Sequence, residues 1–187
     1  MNIIKTKLVD AYIFEPKVFG DHRGFFMETF NAQTLAEQGF SLNFVQDNHA
    51  LSKESGVLRG LHYQLEPYAQ TKLVRVTSGA VYDVIVDIRV GSPTFGQWQG
   101  FILSAENKRQ LLVPKGFAHG YCTLVENTEF LYKVDNYYSP QHDRGIAWND
   151  PQLNIDWPSS APILSDKDTD HPYLQDLETQ FIYKGKE

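Results

Sequence analysis

Three stretches hold side chains able to move protons or bind anions. VLRGLHYQ, residues 57–64, sets Arg59 and His62 three residues apart among aliphatic and aromatic neighbours, with Gly60 between them. A guanidinium forks onto phosphate or carboxylate oxygens, and an imidazole exchanges a proton near neutral pH. The pair reads either as an anion holder and a base in one pocket, or as a bulge carrying a solvated arginine and a hydrogen-bonded core histidine. In TKLVRV, Lys72 keeps step with Val74 and Val76. On an inward face that lysine would stand at a mouth or exchange its hydration for a negative partner; on an outward face it would be ordinary surface. Parity leaves both open. EFLYKVDNYY aligns Phe130, Tyr132, Val134, Asn136 and Tyr138, so an inward face would bring both tyrosines into one interior. Strict alternation puts Arg59 and His62 on opposite faces, so a shared pocket requires the strand to break its ladder at Gly60.

The elements that must position these groups read as strands. AVYDVIVDIRV, residues 80–90, alternates with period two: Tyr82, Val84, Val86, Ile88 and Val90 form an apolar face, while Val81, Asp83, Ile85, Asp87 and Arg89 form the other. KLVDAYIFEP, FVQDNHALS, TKLVRVTSG, WQGFILS, RQLLVPKG, AHGYCTLVE and EFLYKVDNYY are further strands, punctuated by turns such as Ser78-Gly79 and Gly91-Ser92-Pro93. Asn31 caps a short helix ending at Gly39, and Ser104 caps a second over AENKRQ. Many short strands and two short helices predict an all-β sandwich or barrel.

The 187 residues suit one domain, 1–187, with a core over about 1–150 and a proline-rich segment of about 151–187 wrapping it, in which Trp157, Ile163 and Leu164 are available for packing. Net charge is −6 and the basic residues are scattered, which argues against nucleic acid. No signal-peptide pattern or membrane-length apolar run occurs, and the single Cys122 cannot form an internal disulfide, so a cytoplasmic protein away from the membrane is expected. Cys122, in the strand HGYCTL, reads as a buried structural thiol.

LLVPKGFAHGYCTL contains Pro114-x-Gly116-x-x-His119, the second motif of cupin barrels, and here the chain resembles a cupin. Metal-binding cupins join that histidine to a His-x-His pair, where this chain has His62-Tyr63-Gln64. One imidazole from each of two strands is a thin shell for a divalent ion, so no catalytic metal and no cofactor are expected. The segments FGDHRGFFMETFN, FVQDNHALS, GVLRGLHYQ, QTKLVRVTSGAVYDVIVDIR, VPKGFAHGY, YKVDNYYSPQHDRGIAWNDP and LSDKD, in this order, resemble the dTDP-4-dehydrorhamnose 3,5-epimerase family over roughly residues 2–175.

The resemblance implies a cupin jelly-roll β-barrel with short peripheral helices, and a cofactor-free isomerase acting on a dTDP-4-keto-6-deoxyhexose. Within it, His62 is the base, oriented by Asp168 of LSDKD; Lys72 faces the enolate oxygen; Tyr132 delivers a proton to the opposite side. It further assigns Arg23, Arg59 and His119 to the diphosphate or nearby oxygens, Glu28, Gln46, Asp47 and Asn48 to thymine and deoxyribose, and Tyr138 to stacking on thymine. Asp143 and Lys167 match other substrate contacts, although a glutamate is common at the first of these, which leaves the reach of Asp143 open. The family also implies a homodimer in which the N-terminal segment of one subunit, carrying Arg23 or Glu28, completes the partner's pocket. Alternatives on the same fold are a C5-only epimerase or a 3,4-ketoisomerase. A non-catalytic sugar-nucleotide-binding cupin would lack the acid or the base, and His62 and Tyr132 are both present.

Overall fold

Residues 1–177 and 181–185 are described by the computed structural model. The chain opens with β1 (Asn2–Lys5), β2 (Tyr12–Glu15), the hairpin β3 (Val18–Asp21) and β4 (Gly24–Met27), and helix α1 (Ala32–Glu37). Then follow β5 (Gln46–Ser52), β6 (Leu58–Gln64), β7 (Lys72–Ser78), β8 (Ala80–Asp87) and β9 (Trp98–Ser104). Last come β10 (Gln110–Val113), β11 (Phe117–Thr123), β12 (Thr128–Val134), β13 (Asp143–Gly145) and two 3-10 turns, Asp166–Thr169 and Leu174–Asp176.

The strands form two antiparallel sheets, β1-β2-β10-β7-β12-β5 and β13-β6-β11-β8-β9. From β5 to β8 the chain crosses from sheet to sheet with each strand, and it does so again from β9 to β13, giving a jelly roll. Its interior is built from Val74, Val76, Leu111 and Phe130 of the first sheet against Val81, Ile85, Leu103, Phe117 and Tyr121 of the second. Each fully buried aliphatic or phenyl side chain favours folding by roughly 1.5–3 kcal/mol.

The period-two reading holds over β8, which ends at Asp87, short of the expected residue 90, and Val90 is 47% exposed; both faces of β8 are buried. Val81, Asp83 and Ile85 lie on the interior side, while Val84, Val86 and Ile88 form a second core outside it with Ile146, Leu153, Leu174 and Phe181. Trp157 packs on this outer core, and Trp98 Nε1 donates to Leu153 O at 2.7 Å. Ile163 contributes backbone rather than side chain: it bridges Val57 and stays 44% exposed. Residues 178–180 and 186–187 of the expected wrapping segment lie outside the described residues.

Asn31 caps α1 as expected, its Oδ1 accepting from Thr34 N at 3.0 Å. The second expected helix does not form. Ser104 and Asn107 cap each other's amides, and Lys108 takes φ +57°, so residues 104–108 close as a turn. β12 also stops at Val134, short of the expected run to Tyr138, because Asp135 and Asn136 turn their side chains onto backbone at Thr71, Pro67 and Tyr137. Among the described residues no helix is long and apolar enough to cross a membrane.

Candidate active site

β6 supplies two of the site's side chains through an irregularity at Gly60. Opposite it on β11, His119 pairs with His62 and Tyr121 with Arg59, so two residues of β6 face the single Gly120. His119 and Tyr121, two apart, share a face; their partners Arg59 and His62 therefore share it too, as the sequence required. Only glycine fits at the break. Gly60 has φ +135°, and a Cβ there would lie 2.4 Å from Gly120 Cα and 2.9 Å from His119 O.

The two sheets enclose a cavity of about 270 Å³ lined by Arg59, His62, Lys72, His119, Tyr121, Phe130, Tyr132, Ser165, Lys167 and Asp168. That is near the small end of ligand pockets, roughly 300–1,000 Å³, and suits one sugar ring rather than a whole nucleotide. His62 Nε2 meets Asp168 Oδ1 at 2.5 Å across 106 residues of sequence. The 3-10 turn holds that carboxylate in place: Ser165 Oγ donates to Asp168 Oδ2 at 2.7 Å. Burial opposes the Asp168 charge, but the bonds from His62 and Ser165 outweigh it and hold the carboxyl below its usual range. An ionised Asp168 fixes the proton on Nε2 and leaves Nδ1 as the basic nitrogen.

Lys72 and Tyr132 come from the facing sheet, on β7 and β12. Burial pushes the Lys72 ammonium down to about 8, with Asp143 and Asp83 pulling the other way. Burial also raises the Tyr132 phenol, keeping it a proton donor. Arg59 is exposed, and its guanidinium has no ion-pair partner among the described residues.

The mouth gathers a second group. Tyr138 is 55% exposed, outside the lumen where a continuous strand would have put it. Its hydroxyl donates to Asp143 Oδ2 at 3.1 Å, and Lys167 pairs with the same oxygen. Gln46 accepts from Tyr138 N at 3.3 Å and donates to Asn48 at 2.9 Å. Three expected residues are not brought here. Asp47 points to the other face of β5 and pairs with Lys133 at 2.8 Å. Arg23, on the hairpin, is bound to Asp21 at 2.5 Å, and Glu28 accepts from Asn31 at 3.0 Å.

Four cavity neighbours escaped the sequence reading. Asp83 is fully buried and accepts from His119 Nε2 through both oxygens at 3.0 Å, so His119 reaches a ligand only by its other nitrogen. Burial raises the Asp83 carboxyl despite His119. Tyr121 stacks on Phe130 at 4.1 Å, and burial pushes its phenol up to about 12. Ser165 and His171 come from the C-terminal segment; the His171 ring stands 5.6 Å from that of His62. Gln64, where a metal cupin has a ligand, is occupied with Tyr68 O, Tyr137 O and Ser139 N.

A family model described as dTDP-4-dehydrorhamnose 3,5-epimerase matches residues 5–176. The enzyme of that name from Shigella flexneri is 62% identical over 169 residues, 90% of this chain and 93% of that protein. The crystal structure of the Bacillus anthracis enzyme with TDP and PPi bound has a TM-score of 0.90 at 58% identity, covering 92% of this chain and 98% of that one. A Legionella pneumophila 3,5-epimerase in complex with dTDP-4-keto-L-rhamnose has a TM-score of 0.93 at 49% identity, covering 98% and 99%. By sequence, fold and extent of match, this chain belongs to the dTDP-4-dehydrorhamnose 3,5-epimerase family.

Proposed function

We propose that the chain converts dTDP-4-dehydro-6-deoxy-D-glucose to dTDP-4-dehydro-L-rhamnose by inverting C3 and C5, without a cofactor, as a step of dTDP-L-rhamnose formation in the cytoplasm. The observation that carries this reading is that His62 on one sheet, paired with Asp168 of the 3-10 turn, lines a sugar-sized cavity together with Tyr132 and Lys72 of the other sheet. Nδ1 of His62 takes a proton α to the C4 ketone, and the C–H electrons move onto the ketone oxygen as an enolate. The Lys72 ammonium meets that developing charge. The carbanion carbon then takes the Tyr132 proton on its far face, which inverts it. A base and an acid on one side would return the starting stereoisomer.

Each inversion leaves an imidazolium and a phenolate, and solvent resets both, so the reaction must import solvent hydrogen. The test is turnover in deuterated water followed by NMR. Deuterium at both C3 and C5 is the expected result; label at C5 alone would mean a single inversion and overturn the double one.

The diphosphate is assigned to Arg59, with His119 and Lys167 nearby, and the thymidine to Tyr138, Gln46 and Asn48 at the mouth, with Asp143 and Lys167 between the two regions. Arg23, Glu28 and Asp47 stand apart from this cavity in one chain. Their place is a homodimer, in which the hairpin β3–β4 of one protomer reaches the partner's pocket. Phe19, Phe25 and Phe26, 54%, 60% and 70% exposed, give that hairpin the apolar surface an interface needs.

A further inference from the structure

His171 belongs to none of the motifs and has no part in the proposed reaction. Its side chain is only 9% exposed, and Nε2 has no hydrogen-bond partner among the described residues. Native structures rarely bury a ring nitrogen unanswered unless an ion, a water or a chemical role answers it. The position is built, not incidental: Gly145 clears room for the ring, since a Cβ there would lie 2.5 Å from His171 Nε2. That nitrogen is 3.7 Å from Asp168 Oδ1, the oxygen that His62 Nε2 meets at 2.5 Å. One donor atom from each of His62, Asp168 and His171 falls within 4.8 Å of the others.

Two imidazoles and a carboxylate are a donor set that zinc takes, with bonds of about 2.0–2.2 Å and a fourth place for water. Ligand atoms on such an ion stand about 3.3 Å apart, so the trio reaches that geometry with shifts of about 1 Å. We propose that His62, Asp168 and His171 form an inhibitory zinc site, at which the ion takes the place of the proton between base and carboxylate. In the metal-free protein Nε2–H of His62 donates to Asp168 and the Nδ1 lone pair is the base. Zinc takes the Nε2 lone pair; the displaced proton moves to Nδ1, and the ring has no lone pair left for substrate. Asp168 exchanges its hydrogen bond for a coordinate bond, and His171 adds Nε2 with its own proton on Nδ1. No electrons are transferred and no proton is lost. The groups assigned to the nucleotide keep their places, so the blocked protein still binds dTDP.

The site stands on geometry; that occupying it stops turnover rests on His62 being the base. The full chain, stripped with EDTA, is titrated with zinc chloride while turnover, dTDP affinity by calorimetry and the imidazole ¹⁵N shifts of His62 and His171 are followed. Turnover is expected to fall more than about tenfold at micromolar zinc and to return with chelator, while dTDP affinity stays within about twofold and Nε2 of both rings shifts. His171→Gln keeps zinc-free turnover and raises the half-inhibiting zinc concentration about tenfold or more. Equal inhibition in His171→Gln, or inhibition that tracks lost dTDP binding, overturns the site. If that variant does not fold, the native His171 signal decides, and no shift there overturns the site. Zinc held by both rings with turnover intact would leave the site standing and remove His62 as base.

Discussion

At the residue scale, the site divides charge between two sheets. On the proposed mechanism His62→Ala removes the base and leaves the mouth in place, so kcat is expected to fall about 10²–10⁴-fold while dTDP affinity stays within about threefold. Turnover near the native rate would assign the base elsewhere. Lys72 sets the alkaline side. Burial draws its ammonium down to about 8, so the cation is present at pH 7 and is lost as pH rises through that value. kcat/KM is therefore expected to bend downward above about pH 8 and lose close to tenfold per unit. Lys72→Arg, charged at every working pH, removes that bend even if its rate is lower. A bend that persists in the variant belongs to another group. Polar residues among apolar ones single out His62, Lys72 and Tyr132, but parity leaves their faces open, and their proposed roles come from the family resemblance. Asp83 was not legible: it lies on the mixed face opposite Tyr82 and Val84, and nothing in the alternation shows that this face turns to the interior while the C-terminal segment covers the other. Nor was His171, whose neighbours in sequence carry no periodicity.

At the scale of elements, the break in β6 is the feature on which the site turns. It was legible because strict alternation could not reconcile Arg59 with His62, and the paired register on β11 shows two residues facing one at that place. Gly60→Ala would drive a methyl carbon to 2.4 Å from Gly120 Cα. The expected cost is about 3 kcal/mol or more, read as a lowered urea midpoint, together with loss of turnover in the folded fraction. A variant as stable and active as the native chain would show that the break is not required. The strand cores read well from alternation, whereas their ends did not. Asp135 and Asn136 stop β12, and Asn107 turns an expected helix into a tight loop, because short polar side chains compete for backbone groups. The hairpin β3–β4 went unread for a different reason: its phenylalanines lack alternation and find little cover within one chain.

At the scale of the whole molecule, those exposed phenylalanines bear on the proposed dimer. Sedimentation at micromolar concentration is expected to give a dimer, and Phe25→Ser with Phe26→Ser a monomer that loses turnover as it loses its partner; a native monomer would end that reading. The net charge of −6 also fits poorly with an anionic substrate, so the placement of cations matters, and Arg59, Lys72 and Lys167 line one cavity. The dyad joins β6 to a turn made 106 residues later. During synthesis the imidazole is therefore made well before its carboxylate partner. A chain stopped before this turn has the imidazole without its carboxylate and without Lys167, so it is expected to show no turnover.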